Sequence, residues 1–339
     1  MRRTWQCFAV PVIFSFLSSA MPAQNSSPSS VHLDVVTQDG DGHSIKGLGQ
    51  GDFVVLDNGS AVSQKSFSEV RKEDSPVSVM LVLDLVNGSV TYATSQREQL
   101  AKFLRLNDGK LANPTELTVL TEAGVNATNT PTTDGNSLAD MVSKINVGPQ
   151  VINRTSGGAA AQQRFNISLK ALNQVLSAAS QMPGRRFVLW LSPGWPLMSG
   201  GVYPDPAQGQ ELFKDAINYS TMLRQTRIVI YALNTAGTDT SPQAALRYRL
   251  YLKGVNTPSK ADFADLSLQV LATQSGGLVL NLNDLGVAMK RCLEDAEDHY
   301  EVVFDAGAPV KNAPFHSIEI RVNRPGATAR TRNGYYTMP

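Results

Sequence analysis

Val77-Ser78-Val79-Met80-Leu81-Val82-Leu83-Asp84 is a nearly continuous apolar run that ends on a carboxylate. A strand with one face in water alternates apolar and polar residues, whereas a strand covered on both faces reads apolar throughout. The run therefore predicts a strand inside a sheet that carries helices on both sides. Asp84 then stands at its C-terminal end, the edge at which open α/β sheets bind ligands.

Reading outward from this run, the period changes from strand to helix and back. Leu100, Phe103 and Leu104 recur at helical spacing within 96–106, and 117–120 reads as a second strand. Helices are predicted over 136–145, 167–179, 209–224, 263–274 and 283–298. Between them, 186–191 and 227–233 are apolar runs like the first, and 278–280 is a short strand. Such alternation predicts an α/β fold, a Rossmann-like doubly wound and mostly parallel sheet over residues 76–298. The connections over 121–135, 148–164 and 193–208 are long and rich in Gly, Thr, Asn and Pro, and are read as loops, several of them at the ligand edge.

Outside this unit the pattern is β. Val31, Leu33 and Val35 alternate with polar residues, and Phe53 to Leu56 leads into Asp57-Asn58-Gly59, a strong hairpin signal, with 61–70 as the returning strand. Tyr300 to Phe304, Ser317 to Val322 and 327–331 are β-like again. Neither end suffices for a sandwich alone, and chain ends commonly meet in space. The expectation is a flanking β-domain built from both terminal segments, 24–75 and 299–339, with the α/β unit inserted between them.

Arg2 and Arg3, the apolar stretch from Cys7 to Leu17 and the small residues before Gln24 have the order of a secretory leader. Residues 1–23 are predicted to be a signal peptide, which places the mature chain in the periplasm or outside the cell with no transmembrane anchor after cleavage. Later apolar runs are too short to span a bilayer. With 30 Lys+Arg against 29 Asp+Glu and no basic stripe, nucleic acid is not an expected partner. Cys7 leaves with the leader, so Cys292 remains alone and no intramolecular disulfide is expected. Leu285, Ala288, Met289, Cys292 and Ala296 share one helical face, which makes Cys292 a core thiol.

Neither a dinucleotide fingerprint nor a phosphate-binding loop is present. His32, His43, His299 and His316 all fall in or beside the β-regions, away from the strand ends where a triad or zinc site would need imidazole. Ser192-Pro193-Gly194 imitates a nucleophile turn but lacks the first glycine and a nearby base. No catalytic residue is assigned. The carboxylate of Asp84 is costly at a buried strand end unless it is paired or bound to a cation. Asn87, Ser89, Thr133 and Ser192 are candidates to join it at the same edge.

These pieces resemble von Willebrand factor type A domains, and more closely the related secreted proteins abundant in Acidobacteria. The matching segments are Val31 to Gly40, Leu48 to Val55, then Phe67, Leu81-Val82-Leu83-Asp84, and Pro183-Gly184-Arg185-Arg186-Phe187-Val188-Leu189-Trp190-Leu191-Ser192-Pro193-Gly194. Ile228 to Leu233, Leu271 to Gly277, His299-Tyr300-Glu301-Val302, and Arg324-Pro325-Gly326 with Arg332-Asn333-Gly334-Tyr335-Tyr336 follow in order. The resemblance implies a metal-dependent adhesion motif, Asp-x-Ser-x-Ser, at the first strand. This sequence keeps Asp84 but has Val86 and Gly88 where the serines would stand, and Ser192 where a second carboxylate would help. No cofactor is expected beyond, at most, weak Mg²⁺ or Mn²⁺ through Asp84, Ser89 and Ser192, no tighter than roughly millimolar.

The resulting expectation is a non-catalytic protein–protein or surface-interaction module with a protein or cell-envelope partner. A metal-dependent or hydrolytic enzyme centred on Asp84 and Ser192, and a structural envelope component, are the alternatives.

Overall fold

The computed structural model describes residues 30–128, 130–148, 157–195, 204–235, 247–308, 310 and 313–337. The predicted leader, 1–23, and parts of the 148–164 and 193–208 connections lie outside the described residues. No helix among the described residues is long and apolar enough to cross a membrane.

The described residues begin with four strands, β1 (Ser30–Gln38), β2 (Phe53–Asp57), β3 (Ser60–Val62) and β4 (Gln64–Val70). There follow β5 (Val77–Asp84), α1 (Val90–Leu104), β6 (Lys110–Thr121), β7 (Gly124–Ala127), β8 (Thr132–Asp134), α2 (Gly135–Lys144) and α3 (Gly157–Ser180). Next come β9 (Arg185–Leu191), α4 (Pro206–Gln225), β10 (Ile228–Asn234), α5 (Leu268–Gln274), β11 (Val279–Asn281) and α6 (Leu285–Leu293). The last strands are β12 (His299–Asp305), β13 (Phe315–Val322), β14 (Thr328–Arg330) and β15 (Gly334–Tyr336).

All eight residues of β5 are buried, as its apolar run requires. The central sheet has the order β11-β10-β9-β5-β6-β7, with β5, β6, β9, β10 and β11 parallel and β7 antiparallel. The chain moves from β5 outward to β6, then returns to β9 on the other side of β5 and proceeds to β10 and β11. The switch point therefore lies between β5 and β9, a crevice that opens at Asp84 and Ser192. Met80, Val82 and Trp190 pack with Leu172 and Leu176 of α3, Leu212 of α4 and Leu271 of α5. Leu81, Leu83 and Leu189 pack with Leu100 of α1, Leu138 of α2, and Leu285 and Cys292 of α6. Cys292 is fully buried, and burial, with Asp295 adding, pushes its thiol well above the ordinary range.

Local differences from the sequence reading have physical causes. Helix α1 begins at Val90, earlier than its apolar spacing implies, because the Ser89 hydroxyl accepts the backbone N–H of Tyr92 and caps a first turn rich in weak helix formers. The 121–135 connection contains the β6–β7 hairpin and β8. The strand read over 61–70 is two strands: Asn58 and Gly59, both at positive φ, close the β2–β3 hairpin, and β4 then leaves to pair with β12. The helix read over 263–274 breaks at Ser267, since Asp262 and Asp265 cap a separate short turn over Phe263–Leu266.

Strands from the two ends of the chain pair directly. Strand β1 runs antiparallel to β12, with Leu33 opposite Val302 and Asp34 opposite Glu301, and β2 runs antiparallel to β13, with Val55 opposite Ile320. The two four-stranded sheets, β14-β1-β12-β4 and β15-β13-β2-β3, enclose a core of Leu33, Val35, Phe53, Val55, Tyr300, Val302, Phe304 and Ile318. They meet the central sheet where β9 and β10 begin. There Arg227 pairs with Asp34 at 2.6 Å and with Glu301 at 2.5 Å, and Arg185 donates to the Asp295 carbonyl at 3.1 Å. Arg330 of β14 pairs with Asp295, which also accepts the Tyr231 hydroxyl at 2.8 Å. The terminal strands thus occupy the edge opposite Asp84 and leave the C-terminal strand ends to the loops.

Candidate functional site

Asp84 is 0% exposed. Its Oδ1 accepts the backbone N–H groups of Val86 at 2.9 Å and Asn87 at 3.0 Å. Its Oδ2 accepts Asn87 Nδ2 at 2.8 Å and Trp190 Nε1 at 3.4 Å. A carboxylate offers about four lone-pair positions, and here four donors take them. The chain turns back at Val86 and Asn87, so three of the donors are local, while Trp190 arrives from the neighbouring strand β9. Asn87 Nδ2 also donates to Ser168 Oγ of α3 at 2.8 Å, which ties the strand end to the helix above it.

The other sequence-predicted residues divide. Asn87 joins Asp84. Ser89 does not: its hydroxyl accepts the backbone N–H of Tyr92 and caps α1 instead of meeting Asp84. Ser192 is buried at the end of β9, where its Oγ accepts the Gly194 N–H at 3.1 Å and its own N–H donates to the Leu233 carbonyl. Thr133 is exposed on β8, which folds back beside the beginning of β6 with Thr132 opposite Thr115. Asp84 pairs with Leu120, five residues further along β6 and therefore roughly 16 Å away. Thr133 is thus not brought to the Asp84 edge.

Val86 is a buried residue of the same apolar cluster as Leu120, Phe165 and Trp195. At Gly88 a Cβ would overlap the ring of Tyr92. The aromatic ring consequently occupies the space into which a side chain at 88 would project. Tyr92 starts a second polar group that sequence reasoning missed: its hydroxyl donates to Asn234 Oδ1 at 3.3 Å and accepts Gln96 Nε2 at 2.6 Å. Asn234 Nδ2 continues to Asn281 Oδ1 at 3.0 Å, so α1, β10 and β11 are joined across the edge. Burial, reinforced by the nearby Asp84 charge, raises the Tyr92 phenol far above its ordinary range. Trp195 is buried and meets Trp190 edge-on at 5.3 Å, which makes it a packing residue. Tyr92, Gln96 and Ser168 lie at helical positions with no local mark of these partners.

Among the described residues, two other groups could offer ligand atoms to a cation. In the first, Asp34, His299 and Glu301, the Arg227 guanidinium already sits on both carboxylates. Burial, with Arg185 adding, lowers the His299 imidazole to about 4. The second, Asp39, Asp41 and His43, is a surface turn in which Asp39 Oδ1 accepts the N–H groups of Asp41 and His43.

No protein-family model matches the sequence, and no curated protein matches it. Among solved structures, the chain is similar to the PilB minor pilin from Streptococcus sanguinis (TM-score 0.39, 8% identity, 64% of this chain and 60% of that one). It is similar to a von Willebrand factor type A protein from Catenulispora acidiphila (TM-score 0.33, 10% identity, 92% of this chain and 75% of that one). It is also similar to the manganese-loaded Plasmodium vivax TRAP protein (TM-score 0.30, 11% identity, 82% of this chain and 97% of that one). The chain spans 60% of the length of the minor pilin. With scores of this size, the fold rests on its own strand order and pairing.

Proposed function

We propose that this chain is an exported, non-catalytic surface-interaction module whose ligand edge is the C-terminal end of β5, β9 and β10. In this reading the edge keeps the outline of a metal-dependent adhesion site but has become a structural clasp. The observation that carries it is the saturation of Asp84: four donors fill its lone pairs, and the Tyr92 ring covers Gly88. A hard divalent cation needs about six oxygens, and the residues present do not fit one. A hydrolytic reading has no support either: Ser192 Oγ accepts the Gly194 N–H, and among the described residues no base hydrogen-bonds to it. The paired terminal strands, within 30–70 and 299–336, serve as a flanking β-domain that anchors the module from the opposite edge. The partner is a protein or another component of the cell envelope, met in the periplasm or outside the cell.

A photocrosslinking residue placed at Ser89 or Thr235 tests the edge. It is expected to capture one defined partner from the native envelope, while the same group at the exposed Lys214 on α4 captures none. Equal yields at all three positions would defeat the assignment of this edge. Titration with Mg²⁺ or Mn²⁺ is expected to show no saturation below roughly millimolar. Micromolar binding lost in Asp84→Ala would overturn the clasp.

A further inference from the structure

The seam between α1 and α6, on the face of the sheet opposite α3 and α4, is not closed. A hollow of about 310 Å³ is floored by Val79 and Leu81 of β5 and walled by Phe103, Leu111, Met289 and Leu293. It continues along the seam into a second hollow of about 550 Å³ that reaches Val287, and the two share Phe103, Leu106, Asn107, Lys290 and Leu293. Small-molecule sites fall in this size range, with mostly apolar walls and a few polar groups. Leu106 and Val287 stand at its mouth 51% and 58% exposed.

Charge around the opening is unbalanced. Its carboxylates are already engaged: Glu297 with Lys72 at 2.5 Å, Glu294 with Arg291 at 2.9 Å, and Asp284 with the N–H of Val287 at the start of α6. Lys102, Lys110 and Lys290 line the hollows and take part in no ion pair among the described residues. The mouth is held open by the backbone. Asn107 and Asp108 both adopt left-handed conformations, φ 53° and 55°, and Gly109 follows at 77°. Two such non-glycine residues in succession are costly and persist only where surroundings impose them. Here Asn136 Nδ2 of α2 holds the Asp108 carbonyl at 2.9 Å. Leu106, immediately before this turn, lies exposed at the rim.

We infer that the α1–α6 seam binds a single-tailed amphipathic anion, with its alkyl chain between Phe103, Met289 and Leu293 and its carboxylate at Lys110 and Lys290. Apolar walls drive burial of the tail, and the unpaired ammonium groups select the sign of the head.

Calorimetric titration of the full chain with decanoate, kept below its aggregation concentration, tests this. One saturable site is expected, with decanol binding at least tenfold more weakly. The double variant Lys110→Gln, Lys290→Gln should weaken decanoate at least tenfold and leave decanol unchanged. Leu106→Gln, at an exposed position, should weaken both. All three substituted residues lie at the surface, and an unchanged unfolding midpoint verifies the variants. Absence of saturation with decanoate, equal binding of decanoate and decanol, or variants that bind as the parent chain does would each overturn the proposal.

Discussion

The ring of Tyr92, in the first turn of α1, stands in the space that a side chain on Gly88 would take. Since Tyr92 is held by Asn234 and Gln96, it cannot yield freely. Gly88→Ala is therefore expected to lower stability by about 1–3 kcal/mol, as overpacking does. Replacing Tyr92 by Ala in the same chain should recover part of that loss. Urea unfolding of the two single variants and the double variant measures the coupling.

Asp84→Ala removes the acceptor for two backbone N–H groups, the Asn87 amide and the Trp190 indole. A loss of about 1–3 kcal/mol is expected from buried donors left unpaired. Asp84→Asn is no remedy, because its amide turns an –NH₂ toward donors. Neither loss should change when Mg²⁺ is added, which denaturant curves with and without the ion will show.

Acid should weaken the junction through His299. Its imidazole is held near 4 in the folded chain against an ordinary 6.5, chiefly by burial and then by Arg185, with Asp34 opposing and Arg227 reinforcing. The folded state thus prefers the neutral ring. Its contribution is full above pH 6.5 and is lost as pH falls toward 4, at most about 3 kcal/mol. His299→Gln should flatten that part of the stability curve.

Asp265 acts in the opposite direction. Burial, with Asp262 adding charge, lifts its carboxyl to about 7 from an ordinary 3.8. The folded state prefers the protonated acid, so stability is fully present below pH 3.8 and falls as pH rises through 7. Asp265→Asn keeps an oxygen for the Asp262 N–H and removes this loss. It should gain roughly 2–4 kcal/mol at pH 8 relative to acid pH. Between pH 4 and 6.5 the His299 and Asp265 effects oppose each other, so each single variant should expose the slope of the other in thermal melts.

Removal of residues 299–339 takes β12 from between β1 and β4, and β13 from beside β2. Three strands are left with unpaired edges and an opened core, the condition that promotes edge-to-edge association. Light scattering should show aggregation of the truncated chain at concentrations where the full chain remains dispersed.

Much of the fold was legible locally. The apolar runs at 77–83, 186–191 and 227–233 announced strands covered on both faces, and all three lie inside the central sheet. The spacing around Cys292 announced a core thiol, and Asn58-Gly59 announced a turn. Periodicity reports which face of an element avoids water, since burial is a property each residue carries along its own strand or helix. It does not report which partner provides the burial. Trp190 reaches Asp84 from 106 residues away, and Asn87 meets Ser168 across 81. Thr133, grouped with Asp84 by loop position, lies beside the wrong end of β6, and the stretch 61–70 was divided between two sheets. Those outcomes depend on strand order and register. A hydrogen bond between distant residues leaves no mark in the sequence around either one, so only the packed tertiary structure decided which donors surround Asp84.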